Sequence, residues 1–107
     1  VIFYSDEEQE TMVKRVIGLP GETITFVGGH VYVDGERLDE SAYLDDSVVT
    51  EPGEQDKFVV PDGCIFVLGD NREVSYDARY WENPYISQDK IQSDVEVVIP
   101  FHKLPWF

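Results

Sequence analysis

The sequence predicts an all-β domain, and three observations predict it. Short runs of Val, Ile, Phe, Tyr and Thr recur along the whole chain, Gly, Pro and Asp punctuate them every few residues, and helical periodicity is almost missing. β-branched and aromatic side chains suit a pleated, half-buried surface, and the punctuating residues supply turns, so the pattern describes many short strands. With 107 residues, 42% of them hydrophobic, the chain can build one core and has no room for a second. Residues 1–107 are therefore read as one domain.

Val1 to Tyr4 reads as a first strand, followed by a loop at the acidic cluster Asp6, Glu7, Glu8 and Glu10. Thr11 to Gly18 reads as a second strand that ends at the Leu19-Pro20-Gly21 turn. Thr23 to Val27 and His30 to Asp34 flank Gly28-Gly29, two residues able to take positive φ between β-rich runs, which predicts a hairpin. Asp34-Gly35 offers another turn before an acidic stretch containing Pro52 and Gly53, expected to wander over the surface. Lys57 to Val60 and Cys64 to Leu68 read as two core strands joined by the Pro61-Asp62-Gly63 turn. Gly69 to Arg79 is polar and turn-forming, directly after a buried strand, where a rigid scaffold presents functional groups. Ile91 to Ile99 is the last expected strand, before the apolar tail Leu104-Pro105-Trp106-Phe107.

Charge narrows the function classes. Eight Lys and Arg against 22 Asp and Glu give a net charge of -14, which repels phosphate backbones and anionic head groups and argues against nucleic-acid binding. Asp34 to Asp56 alone holds nine acidic residues against the single Arg37, a run expected to be a solvated loop. Cys64 is the one cysteine, so there is no intrachain disulfide, and no cysteine/histidine spacing suggests zinc or another metal. No stretch approaches the roughly 18 to 20 apolar residues needed to span a bilayer. A chain that opens on Val-Ile-Phe-Tyr without a start signal reads as part of something longer.

The residue that invites chemistry is Lys14. In Met12-Val13-Lys14-Arg15-Val16-Ile17 the side chains alternate, and both faces of the strand are largely apolar. A sheet covered on one side pushes one of the two cations toward the core. Lysine tolerates burial by giving up its proton, whereas arginine practically cannot. A buried Lys14 would be a neutral amine, a general base able to activate a serine hydroxyl without histidine; an exposed one would snorkel to water. In the segment after the core strand, Asp70 with Arg72 and Asp77 with Arg79 are two acid/base pairs at close range, readable as surface ion pairs. Ser75 is a hydrogen-bond partner for a nearby amine, without the flanks of a nucleophile elbow. His30 and His102 lack the serine and acid context of a triad.

Two strings, Lys14-Arg15-Val16-Ile17-Gly18-Leu19-Pro20-Gly21 and Gly69-Asp70-Asn71-Arg72 followed by Ser75, Asp77 and Arg79, together resemble the signature segments of the type I signal peptidases. The resemblance extends to Val1 to Tyr4, to Val31-Tyr32-Val33-Asp34-Gly35 and to Val60-Pro61-Asp62-Gly63. It implies a mostly antiparallel β fold of the signal peptidase type with long surface loops, and a serine endopeptidase that cleaves signal peptides from exported preproteins. It implies Lys14 as the general base of a serine/lysine dyad and Ser75 as the group that orients its amine. Asp77 and Arg79 would form a buttressing pair, Asp70 and Arg72 would shape the same loop, and Asp70 would reach Arg15. The implied location is the extracytoplasmic face of the cell membrane, reached through an upstream anchor, with no organic or metal cofactor. The signal peptide would add as a strand along a groove whose shallow pockets take small side chains.

Four departures qualify the likeness. The nucleophilic serine of the family lies in a Ser-x-Met-x-Pro segment that does not occur here, and none of Ser5, Ser41, Ser47, Ser75, Ser87 or Ser93 has that context. The oxyanion donors of that segment are missing with it, so these residues alone are expected to be inactive. Glu22 stands where Asp is usual and Ala78 where Ser is usual. An unpaired edge left by an absent upstream strand is one that a second copy could cover. Two other readings compete: a non-catalytic signal-peptidase-like assembly factor, as in pilus assembly, that holds a peptide in its groove, and the self-cleaving domain of an SOS-type repressor. An intact Lys14 argues against the first, and Gly69-Asp70-Asn71-Arg72 is foreign to the second.

Overall fold

The structure, a computed structural model, describes residues 2–5 and 10–93. Ten short strands and one turn of 3-10 helix account for its regular structure, in three antiparallel sheets. The all-β expectation holds. In the first sheet, β1 (Ile2–Ser5) lies between β2 (Glu10–Val13) and β10 (Ile91–Ser93). In the second, β3 (Arg15–Gly18) and β9 (Ile86–Ser87) flank β8 (Cys64–Leu68). The third runs in the order β6 (Glu36–Arg37), β5 (His30–Val33), β4 (Thr23–Val27) and β7 (Lys57–Val59).

The expected strand from Thr11 to Gly18 is two strands in two sheets. β2 pairs with β1 through Ile2 and Val13, β3 pairs with β8 through Arg15 and Leu68, and Lys14 is the residue between them. The chain changes sheet at that point, so the Lys14 side chain enters the junction rather than one regular face. The hairpin is where the sequence places it. Gly28 and Gly29 have φ of 59° and 84°, the two positive values of a type I′ turn, and Val27 pairs with His30 across it. The turn at Leu19-Pro20-Gly21 is closed by the Glu22 N–H donating to the Leu19 carbonyl, and the Glu22 carboxylate in return accepts the Leu19 N–H at 2.7 Å. A glutamate thus closes this turn.

One expectation holds with a refinement, and a second needs correction. The turn after Val60 forms, but β7 and β8 do not pair with each other: β7 joins β4 and β8 joins β3. Turn residues specify that the chain reverses, and the buried faces decide which partner each strand takes. The core lies where these sheets meet, around Ile24, Phe26, Phe58, Phe66 and Leu68. Phe58 packs 4.7 Å from Phe66 and edge-on to Phe26 at 6.0 Å, between ring centroids. Second, the acidic stretch is not merely a solvated loop, since Thr50 is buried and Glu40 is half-buried. Strand Ile91–Ser93 matches the start of the last expected strand; its continuation, the apolar tail, His102 and most of the first acidic cluster lie outside the described residues.

Candidate active site

Lys14 is 2% exposed, and its Nζ donates a hydrogen bond to Ser75 Oγ at 3.0 Å. The two residues are 61 positions apart in sequence and both are buried. Lys14 comes from the junction of β2 and β3, and Ser75 from the loop that leaves β8. That loop makes one tight turn, in which the N–H groups of Val74 and Ser75 both donate to the Asn71 carbonyl. Burial penalises the ammonium form of an amine.

Three arginines hold the surroundings. Arg15 donates to both carboxylate oxygens of Asp70, Nε to Oδ1 at 2.7 Å and Nη2 to Oδ2 at 2.8 Å, in the planar two-bond arrangement that only guanidinium provides. The hydrogen bond it donates to Asp70, more than the charge of Asp70, holds Arg15 above its usual range. Arg79 grips Asp77 in the same way, Nε to Oδ1 and Nη2 to Oδ2, each at 2.8 Å, and both side chains are fully buried. Arg72 turns away from Asp70. Its Nη2 donates to Glu40 Oε1 at 2.7 Å, its Nη1 to Thr50 Oγ1 at 3.1 Å and its Nε to the Gly69 carbonyl at 2.8 Å.

All seven residues singled out from the sequence, Lys14, Arg15, Asp70, Arg72, Ser75, Asp77 and Arg79, are thus brought into one region, and the structure corrects two details. The pairs are not surface pairs, because Asp70, Arg72, Asp77 and Arg79 are all buried. Asp70 and Arg72 are not partners through their side chains; only the Arg72 N–H meets the Asp70 carbonyl, and each side chain reaches a distant segment. Glu40, Tyr43 and Thr50 are residues the sequence reading missed. The Tyr43 ring lies under the Arg15 guanidinium, 3.9 Å from its central carbon to the ring centroid, and the Tyr43 hydroxyl donates to Glu40 Oε1 at 3.0 Å. Burial, reinforced by Glu40, pushes the Tyr43 phenol well above its usual range. The one available signal was the density of acid in a segment that also carries Tyr43 and Leu44, an apolar pair out of place in a purely solvated run.

A cleft of about 240 Å³ lies between the hairpin tip at Gly29-His30 and residues 37–48. It is separate from the lysine: Glu40 contributes to its wall, whereas Lys14 and Ser75 do not. Among the described residues no group of three or more His, Cys, Asp or Glu is arranged to hold a metal ion, and no helix is long and apolar enough to cross a membrane.

Comparison with known proteins points to one family. The family model described as signal peptidase, peptidase S26, matches residues 1–100. Signal peptidase I of Bacillus caldolyticus is 38% identical over 98 residues, which cover 82% of this chain and 54% of that protein. The probable signal peptidase I-2 of Synechocystis is 44% identical over 72 residues, 67% of this chain and 31% of that protein. The chain therefore spans about a third to a half of the length of these curated relatives. A crystal structure of a signal peptidase I from Enterococcus faecalis superposes with a TM-score of 0.71 at 28% identity, covering 90% of this chain and 92% of that one.

Proposed function

The chain belongs to the signal peptidase family, and from that premise we propose that it is the lysine-bearing part of a serine/lysine endopeptidase that removes signal peptides from exported preproteins. One observation carries the reading: the Lys14 amine is buried and held 3.0 Å from Ser75 Oγ. The hydrogen bond to Ser75 restrains the amine, so that its nitrogen is held in place to accept a proton. In the reaction, that nitrogen takes the proton of the nucleophilic serine as the serine oxygen bonds to the carbonyl carbon of the scissile peptide. The proton then passes to the departing amide nitrogen as the carbon–nitrogen bond breaks, and water repeats the sequence on the acyl ester.

The nucleophile in this reading belongs to a Ser-x-Met-x-Pro segment, which these 107 residues do not contain. Asp77 with Arg79, and Asp70 with Arg15, are the buttresses that keep Ser75 and the lysine strand in place; Arg72 ties their loop to the acidic segment. The substrate lies extended, with small side chains before the cleaved bond, and the protein works at the extracytoplasmic face of the cell membrane. Cleavage of a peptide with an Ala-x-Ala site by the full-length protein tests this, with Lys14→Met removing the amine while keeping its bulk. A loss in kcat/KM of about a hundredfold or more is expected. Undiminished cleavage by Lys14→Met, or none by the wild type, refutes the reading.

A further inference from the structure

Lys14 and Ser75 are joined by a hydrogen bond between two segments far apart in the chain, which the β3–β8 pairing and the Arg15–Asp70 pair hold together at their base. A second tie between the two segments runs through the acidic stretch. Arg15, the residue after Lys14, rests on the Tyr43 ring at 3.9 Å. The Tyr43 hydroxyl donates to Glu40 Oε1 at 3.0 Å, and the same oxygen accepts from Arg72 Nη2 at 2.7 Å. Arg72 in turn holds the Gly69 carbonyl, and its neighbour Asn71 carries the turn that presents Ser75. The contacts form a closed ring: lysine strand, Arg15, Tyr43, Glu40, Arg72, serine loop, and back through the Asp70–Arg15 pair.

We propose that Glu40 and Tyr43 are positioning residues for the Lys14–Ser75 pair, acting as a strap from the segment 38–44 across both halves of the site; as a role in catalysis this rests on the protease reading above. Both act through the arginines of the two segments, Arg15 and Arg72. Glu40 receives two donors on one oxygen and so ties the strap to the serine loop, while Tyr43 ties it to the lysine strand. A general base misplaced by about 1 Å can lose about a hundredfold in rate, so a device that sets this distance has work to do.

The test uses the full-length protein with Glu40→Ala, Tyr43→Phe and the conservative Glu40→Gln, which keeps an acceptor oxygen in place. The last two preserve side-chain volume, so they remain informative if Glu40→Ala folds poorly. The first readout needs no activity: the rate of reductive methylation at Lys14, read by mass spectrometry against the exposed Lys57 in the same sample. Lys14 should label at least about fivefold faster in Glu40→Ala and Tyr43→Phe, with Lys57 unchanged and Glu40→Gln close to wild type. The second is peptide cleavage, where kcat should fall about tenfold with KM within about twofold. In Tyr43→Phe, which changes no charge, the acid limb of the kcat profile should move up by about half a pH unit as water reaches the amine. Unchanged labelling in both Glu40→Ala and Tyr43→Phe overturns the proposal. So does unchanged kcat in both variants of an active wild type. If the wild type cleaves nothing, the protease reading falls, and the labelling rates still decide whether the strap holds the lysine.

Discussion

Replacing Asp77 by alanine removes the acceptor on which the site loop closes. The carboxylate is fully buried and accepts four hydrogen bonds: from the Gly69 N–H at 3.0 Å, the Arg79 N–H at 3.2 Å, and Arg79 Nε and Nη2 at 2.8 Å each. In Asp77→Ala the guanidinium of Arg79 stays buried with its charge uncompensated, a change that costs about 3–5 kcal/mol. That is a large share of the roughly 5–15 kcal/mol that holds a small domain together. At a urea slope of about 1.5 kcal/mol/M, a loss of about 4 kcal/mol moves the unfolding midpoint down by about 2.5 M. Asp77→Asn keeps the volume and one acceptor oxygen, and should lose about half as much. Urea unfolding followed by the fluorescence of Trp81, buried in the same loop, measures both. A loss below about 1 kcal/mol for Asp77→Ala would match an exposed pair and would refute the claim that this ion pair holds the loop.

Two other outcomes follow from the strap and its neighbour. A Cβ added at Gly53 would lie 2.7 Å from the Arg79 carbonyl oxygen and 3.1 Å from the Tyr80 ring, so Gly53→Ala should destabilise by about 1–3 kcal/mol in the same urea assay. Because the Tyr43 phenol is held above its unfolded value, the folded state keeps a proton that the unfolded state gives up. Stability from this group is therefore complete below about pH 10 and is lost as pH rises beyond it. In a spectrophotometric titration Tyr43→Phe should remove a late-titrating phenol and flatten the alkaline loss of stability.

Much of the fold is legible in the sequence because turns are local. Gly28-Gly29 between two β-rich runs leaves one geometry, and the hairpin forms with Val27 opposite His30. Strand pairing is less legible. Pro61-Asp62-Gly63 correctly marks a reversal, yet the strands it joins go to different sheets, since pairing depends on which apolar faces meet across the core. The site divides in the same way. Asp77 and Arg79 are two residues apart and find each other in the structure as in the sequence. Arg72 does not take the equally near Asp70 but Glu40, 32 residues away, and Asp70 takes Arg15, 55 away. Charge density made the acidic stretch look like solvated surface. What the density conceals is that a single glutamate among many exposed acids pairs the buried Arg72, and a single tyrosine packs its ring under Arg15.

The burial of so many charges in one loop has a backbone reason. Residues 69–79 form no strand or helix, yet most of them are sealed from water, so their carbonyl and N–H groups need partners that regular structure would otherwise supply. The arginines supply them. Arg72 Nε meets the Gly69 carbonyl, Arg79 Nη2 meets the Arg72 carbonyl, Arg79 Nη1 meets the Glu51 carbonyl, and Asp77 takes the Gly69 N–H. Each guanidinium has five N–H donors, enough to satisfy backbone and carboxylate at once, which lysine cannot do in a fixed plane. The carboxylates that neutralise these arginines must then be drawn in with them, so Asp77 beside Arg79 and Glu40 beside Arg72 are required by the fold of the loop as much as by its charge. The result is an irregular segment that can hold Ser75 against Lys14, which comes from the junction of two paired strands.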